Sequence, residues 1–332
     1  MRTFVDAGQA RGATENSRIR LLVASLQNLI SVPLLAFVTI VVLLGVNFVA
    51  VRFSNAELSP FWGAALRFTI ASFILFMIVR FRRLPLPRGM ALVGASLYGV
   101  LVFGGTYAFV YWALLYVPSG IASVTFATIP LITLFIAAPL KLEQLTRRGV
   151  FGGILVLMGI GIVFQEQLRA DVPLAALGIL LLAAVCAALS GVVIKRFPRS
   201  HPISTNAVAM AVGAALLLVI SRGAAESWHL PALPETWRAL AWLIMSAIAA
   251  FILTIWLLSK WKASAVSYTT VLMPLVTVAV ASWLAAEQVT PLFVVGGAFA
   301  LGGVYFGALT GQADSEPQKR VTSEGSSEAS PS

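Results

Sequence analysis

Residues 121–159, IASVTFATIPLITLFIAAPLKLEQLTRRGVFGGILVLMG, return 144 positions later as residues 265–303, AVSYTTVLMPLVTVAVASWLAAEQVTPLFVVGGAFALGG. Fifteen of the 39 aligned positions are identical, without a gap. Apolar composition raises chance matches, but it does not align Ser123/Ser267, Pro130/Pro274, Thr133/Thr277, Glu143/Glu287, Gln144/Gln288 and Gly152-Gly153/Gly296-Gly297 at one offset. Weaker echoes sit upstream at the same shift: Arg52-Phe53 against Arg196-Phe197, and Trp112 against Trp256. The chain is a tandem duplication, and repeat architectures bury their apolar faces against one another.

The solvent for most of this duplicated chain is lipid. Of 332 residues, 59% are hydrophobic and 11% charged, where a soluble domain carries roughly 25% charged residues. The single cysteine, Cys186, excludes an intramolecular disulfide. His201 and His229 fall in different loops, so no metal cluster is expected. A net charge of +10 could point to nucleic acid, but the basic residues sit in short caps between apolar runs, so no nucleic-acid partner is expected. The first twenty residues are polar and include Arg2, Arg11, Arg18 and Arg20, without a secretory cleavage signature. Residues 311–332, rich in Ser, Glu and Gln, read as a disordered tail.

A helix needs about 20 apolar residues to cross roughly 30 Å of hydrocarbon. The sequence predicts ten such spans, at 33–51, 60–79, 90–114, 119–140, 147–165, 173–194, 203–221, 238–258, 263–284 and 291–310. Residues 1–32 precede them, with an interfacial helix expected after Arg20. With the N-terminus inside, 18 Lys and Arg residues fall in inner segments and 4 in outer loops, which predicts two cytoplasmic termini. Each copy, 33–165 and 173–310, then holds five helices. Five is odd, so the second copy enters the membrane from the opposite face. That predicts an all-α membrane protein of two inverted repeats, the symmetry that underlies alternating access around a shared central site.

Several motifs resemble the EamA repeat of the drug/metabolite transporter superfamily. In the first copy they are Leu44-Gly45-Val46-Asn47-Phe48-Val49-Ala50-Val51-Arg52, Ser59-Pro60, Arg67-Phe68, Pro130, and Glu143-Gln144-Leu145-Thr146 before Gly152-Gly153. In the second they are Ala188 to Lys195, Pro274, Glu287 and Gly296-Gly297. The resemblance covers residues 36–310. It implies ten helices, two inverted five-helix repeats, cytoplasmic termini, and movement of amino acids or other small metabolites, often outward. One departure is Leu44, where the family usually has Trp before the first-helix glycine.

Arg67 is the one formal charge deep in a predicted span, about eight residues into the second helix. A guanidinium in lipid costs roughly 2.5–3.5 kcal/mol or more, so it must face the bundle interior or water. It is read either as a counter-charge for a substrate carboxylate or phosphate, or as a structural group on helix-end carbonyls. Pro130 and Pro274 lie mid-span, where each removes a backbone donor and frees the carbonyl four residues back. They are read either as hinges or as static kinks. Ser123, Thr133, Ser267, Thr270 and Thr277 share faces with the prolines at spacings of three and four, one polar stripe per repeat. Asn47, Tyr107, Trp112, Trp256 and Tyr268 join them as candidate cavity residues, with interfacial anchoring the alternative for the tryptophans. Glu143 and Glu287 sit at helix ends and serve either proton coupling or loop anchoring beside a helix N-terminus. The paired glycines are read as points of close helix approach.

These features favour a secondary transporter of a small polar metabolite such as an amino acid or amine, an exporter in a cell membrane, with a small-molecule substrate, no cofactor and no metal. A lipid-modifying membrane enzyme would need clustered His, Asp or Glu or an activated nucleophile within a span, and none is visible. A sensor or scaffold would need a soluble domain or large loop, and no predicted loop exceeds about 20 residues. The absence of a P-loop argues against ATP-driven pumping.

Overall fold

The computed structural model describes residues 32–140, 147–167, 173–284 and 290–304. All regular elements among them are helical. In the first copy they are α1 (Val32–Asn55), α2 (Pro60–Phe81), α3 (Met90–Ala113), α4 (Ser119–Phe126), α5 (Ile129–Ala137) and α6 (Arg147–Gln167). In the second they are α7 (Leu174–Arg196), α8 (Pro202–Gly223), α9 (Pro234–Leu258), α10 (Ala263–Ser267), α11 (Thr269–Leu284) and α12 (Pro291–Val304). Met90, Ser119 and Arg147 open helices in the first copy, and Pro234, Ala263 and Pro291, each 144 residues on, open their counterparts. The second helices start at Pro60 and Pro202, 142 apart, and the longer loop after α8 restores the offset.

Proline opens α2, α8 and α9, where its missing donor would be unpaired in any case. The second helix of each copy ends in the same way. After α2 the Leu84 N–H returns to the Val79 carbonyl with Arg83 left-handed at φ 51°, and after α8 the Glu226 N–H returns to the Ser221 carbonyl with Ala225 at φ 54°. This is the Schellman closure. It is repeated, strain included, at positions 142 apart.

Among the described residues, eight stretches are long and apolar enough to cross a membrane: α1, α2, α3, Ser119–Ile136, α7, α8, α9 and Ala265–Leu284. They correspond to eight of the ten expected spans, and the other two, 147–165 and 291–310, fall on α6 and α12. Within α6 and α12 the described apolar runs are shorter, Val150–Gly159 and Pro291–Gly303. Large apolar side chains point outward along the bundle, among them Phe73, Phe81, Val219, Met245 and Trp283.

The two prolines sit differently in the two copies. In the first copy the helix breaks at Ala127-Thr128, and Pro130 is the second residue of the next one. In the second copy the break falls at Tyr268, and Pro274 lies inside α11. Hydroxyls cover carbonyls at both breaks: Thr128 Oγ1 donates to the Thr125 carbonyl at 2.7 Å, and Thr269 Oγ1 to the Val266 carbonyl at 2.9 Å. At each break the threonine hydroxyl gives a carbonyl the partner that the interrupted backbone ladder no longer supplies.

Helix pairings exchange between halves as a two-fold axis requires. α1 packs on α9 and α11, while its counterpart α7 packs on α3 and α5. α2 packs on its own counterpart α8, and α6 on α12. The α2/α8 pair is antiparallel, because Glu226, just past the end of α8, bonds the first turn of α2 at Phe61 and Trp62. Side chains are excluded from the tightest contacts: a methyl on Gly99 would collide with the Ala209 backbone, and one on Gly303 with the Gly152 carbonyl. Left-handed geometry costs a residue other than glycine roughly 1–2 kcal/mol. Ala225→Gly is therefore expected to stabilise the protein by about 0.5–1 kcal/mol, raising its thermal midpoint in detergent; a lowered midpoint would contradict this reading of the α8 terminus.

Candidate functional site

A cavity of about 130 Å³ lies between the two halves. Its walls are built from repeat-related positions. Leu44 and Ala188, Asn47 and Gly191, Tyr107 and Phe251, Val110 and Thr254, Phe126 and Thr270, and Ile129 and Met273 all line it, each pair 144 apart. The Tyr107 and Phe251 rings meet edge to face, 6.1 Å between centroids. The cavity therefore sits on the pseudo-two-fold axis.

Tyr107 is delivered to this wall by an irregularity in α3. Gly99–Thr106 is π-helical, and Thr106 Oγ1 bonds the Leu101 carbonyl at 3.0 Å and the Ala183 carbonyl of α7 at 3.3 Å. A π-turn carries one more residue than the α-turn it replaces and rotates the helix beyond it, a device often found at functional sites. Gly99, Gly104 and Gly105 permit it by letting α8 and α7 close in. Phe103 packs at 4.7 Å on Phe251 and at 5.0 Å on Phe68, completing an aromatic cluster behind the wall.

Of the residues singled out in the sequence, Asn47, Tyr107, Thr133, Ser267 and Thr270 line the cavity. Arg67 is fully buried behind Tyr107: its Nε donates to the Leu243 carbonyl at 2.9 Å, and its Cζ lies 5.0 Å from the Tyr107 ring. Ser123 is buried and donates to the Gly120 carbonyl at 2.7 Å. Thr277 donates to the Gly45 carbonyl at 2.8 Å and ties α11 to α1. Trp112 packs on Tyr116 at 4.9 Å, Trp256 lies in a neighbouring cleft, and half-buried Tyr268 marks the α10/α11 break. Pro130 and Pro274 are buried beside the cavity helices. Glu143 and Glu287 lie outside the described residues.

Sequence reading missed Trp242 and Ser246. Asn47 Oδ1 accepts from Trp242 Nε1 at 3.1 Å and from Ser246 Oγ at 2.7 Å. It also missed Phe251 and Thr254, although the offset from Tyr107 and Val110 leads to both.

The two ends of the cavity differ. Thr254, Leu258, Ala263, Val266 and Ser267 extend it toward the junction of α9 and α10, whereas Ser119, Ala122 and Ser123, the counterparts of the last three, are buried in packed protein. At the extended end Leu258 and Ala263 are shared with a cleft of about 580 Å³ that Lys195, Arg199, Lys260 and Lys262 border. The opposite end is tied shut by two carboxylates, each at the start of a helix from the other copy. Glu226 accepts from the Phe61 N–H at 3.1 Å, the Trp62 N–H at 2.8 Å and Ser221 Oγ at 2.7 Å. Glu57 accepts from the Ala232 and Leu233 N–H groups before α9. Trp62 and Trp228 stack over this seal at 5.0 Å. Both carboxylates meet the positive end of a helix dipole.

A family model described as the EamA-like transporter family matches residues 31–165 and again residues 174–308. A protein of Archaeoglobus fulgidus named "Uncharacterized transporter" is 27% identical over 277 residues, 79% of this chain and 93% of its own length. One of Escherichia coli named "Probable amino-acid metabolite efflux pump" is 25% identical over 279 residues, 80% of this chain and 91% of its own. A solved structure described as "Crystal structure of protein" superposes with a TM-score of 0.67 at 19% identity, covering 85% of this chain and 98% of that one, and so shares the fold.

The Thr236 hydroxyl, followed by the Ala232 N–H, holds the Glu57 carboxyl below its ordinary 4.5. A depressed carboxylate contributes stability above its unfolded value, and loses it as pH falls through the folded one. The difference in thermal midpoint between wild type and Glu57→Gln is thus expected to be constant above about pH 4.5 and to close below it. A difference independent of pH would contradict the seal.

Proposed function

The chain belongs to the EamA-like transporter family, and on that premise we propose that it is a secondary transporter exporting a small polar metabolite, an amino acid or a related compound, by alternating access between two inverted five-helix repeats. One observation carries this reading. The cavity lies on the axis relating the copies, its walls come in pairs 144 residues apart, and it is extended at one end and sealed at the other. Exchanging the conformations of the two copies would pack Ala263, Val266 and Ser267 and unpack Ser119, Ala122 and Ser123, moving the opening to the opposite side while the central wall stays in place.

The extended end lies beside Lys260 and Lys262, and the sealed end beside Glu57 and Glu226. With 18 of the Lys and Arg residues assigned to the inner side and 4 to the outer, the extended end is cytoplasmic and both termini are too. The arrangement is then inward-facing, ready to load from the cytoplasm, which suits an exporter. The antiparallel packing of α2 on α8 supports inversion, since an axis that reverses a spanning helix must lie in the membrane plane. The relatives named as amino-acid metabolite efflux pumps support the substrate class.

Gly191 provides the test, because it lines the cavity and a Cβ added there meets no atom within 4 Å. Proteoliposomes holding the purified chain and loaded with the twenty amino acids are expected to release at least one faster than protein-free vesicles. Gly191→Phe fills the site and is expected to cut that release by about tenfold or more, an energetic change of about 1.4 kcal/mol, with the thermal midpoint unchanged. Undiminished release from the filled variant would contradict this location, and release indistinguishable from protein-free vesicles would contradict export.

A further inference from the structure

The two walls of the cavity share a backbone plan but not a chemistry. On one side Asn47 meets Trp242 and Ser246. The repeat-related positions on the other side are Gly191, Tyr98 and Val102, all lining the cavity. Behind the first wall Arg67 bonds the Leu243 carbonyl, and the repeat-related pair is Ala209 against Gly99, a bare backbone contact. Duplication gave both walls the same scaffold, and the amide, indole and hydroxyl of Asn47, Trp242 and Ser246 meet on only one of them.

That polar wall is unfinished, and the loose ends of Asn47 and Arg67 are donors. Trp242 Nε1 can only donate, so the oxygen of the Asn47 amide must face it. Nδ2 is therefore the other end, and it is buried without a hydrogen-bond partner among the described residues although Asn47 lines the cavity and is only 4% exposed. Both Nη atoms of Arg67 are in the same condition. The Tyr107 and Tyr111 hydroxyls approach the guanidinium, but neither Nη makes a hydrogen bond of acceptable geometry, and the Tyr111 hydroxyl is itself without a partner among the described residues. Arg67 and Asn47 join through one turn of α9: Arg67 Nε and Ser246 Oγ share the Leu243 carbonyl, and Ser246 Oγ reaches Asn47 Oδ1. Tyr107, whose ring faces both the cavity and the guanidinium, is the partition between them. A buried cation without a counter-charge is costly, and a carboxylate held at Asn47 Nδ2 would bring the opposite charge to the same end of the cavity.

The approach has the same polarity. Lys195, Arg199, Lys260 and Lys262 border the cleft that meets the cavity at Leu258 and Ala263, with no acidic side chain among its described lining residues. Clefts lined by one sign of charge concentrate ligands of the other sign.

We propose that the cavity has a carboxylate-binding pole made by Asn47 Nδ2, with the Arg67 guanidinium behind Tyr107 as its counter-charge, facing Val102, Gly191 and the Tyr98 ring. Its ligand is a small acid with an apolar substituent, and the carboxylate, not the amine, is the group recognised. This rests on the transport reading for the identity of the site, but binding tests it separately.

Leucine, 4-methylpentanoate, leucinamide and 3-methylbutylamine share one apolar skeleton and differ in the acid and the amine. In thermal unfolding of the purified full chain in detergent, leucine and 4-methylpentanoate are expected to raise the midpoint, and leucinamide and 3-methylbutylamine to leave it in place. Asn47→Asp retains the acceptor for Trp242 and Ser246 but replaces the free donor with a negative charge. It is expected to weaken both acids about tenfold or more, and Arg67→Gln, which removes the charge behind the pole, is expected to weaken them as well. An equal response to the amide or the amine, no response to any of the four, or undiminished acid binding by Asn47→Asp would overturn the proposal. Flux of the same compounds through proteoliposomes separates the two readings. Transport without preference for the acids removes the pole and leaves the transporter, whereas acid binding without flux upholds the pole and removes the transporter.

Discussion

The antiparallel seating of α2 on α8 is the constraint on which the rest of the structure depends. Each is the counterpart of the other, so their contact lies on the axis that exchanges the two halves. Once that pair is antiparallel, α1 must find α9 where α7 finds α3, and the space common to both copies is the volume between these pairs. Sequence supplies the means of close approach. Ser72 Oγ reaches across to the Ala207 carbonyl at 2.9 Å, and Gly99 admits the Ala209 backbone. In lipid, where helices gain little by hiding apolar surface from one another, small residues and a few cross-helix hydrogen bonds decide which faces meet.

The second constraint is that no backbone group can be left unpaired in hydrocarbon. It explains why irregular backbone clusters around the cavity and is accompanied there by hydroxyls. Thr106 serves the π-helical segment of α3, Thr125 and Thr128 the break before α5, and Thr269 and Thr270 the start of α11. These positions combine local departure from α-geometry with covered carbonyls, so the walls can be irregular without being loose. The sealed end uses backbone donors too, offered this time to carboxylates: the first N–H groups of α2 and those before α9 find Glu226 and Glu57 across the repeat boundary. A seal made of a few hydrogen bonds and one stacked tryptophan pair can be broken and remade, unlike a fused apolar core.

How far each feature was legible in the sequence depends on its physics. The duplication was readable because Pro, Glu, Gln and Gly recur at one spacing, and that spacing reappears as helix starts at Met90 and Pro234 and at Ser119 and Ala263. The burial of Arg67 was readable because charge is so costly in a span. Its partner was not, because the Leu243 carbonyl is a backbone atom with no side-chain signature. Asn47 stood out as a polar residue in an apolar run, but Trp242 and Ser246 lie 195 and 199 residues away and are joined to it only by folding. The π-helical turn left only a cluster of glycines, and glycine clusters usually mark nothing more than close packing. The prolines marked the neighbourhood of the helix breaks and not their positions, because the break settles where threonines can cap it.

The claim that most depends on this reasoning is that the axis between the copies lies in the membrane plane. Arg83 and Ala225 test it directly, since they are the same position of the two copies, each left-handed at the terminus of its second helix. In the chain with Cys186 replaced by Ser, single cysteines at these two positions are treated in intact cells with a membrane-impermeant maleimide. Inverted repeats require Ala225→Cys to be labelled and Arg83→Cys to be protected until the cells are permeabilised. Equal labelling of both from the same side would show the copies to be parallel, and the shared central site would go with the inversion.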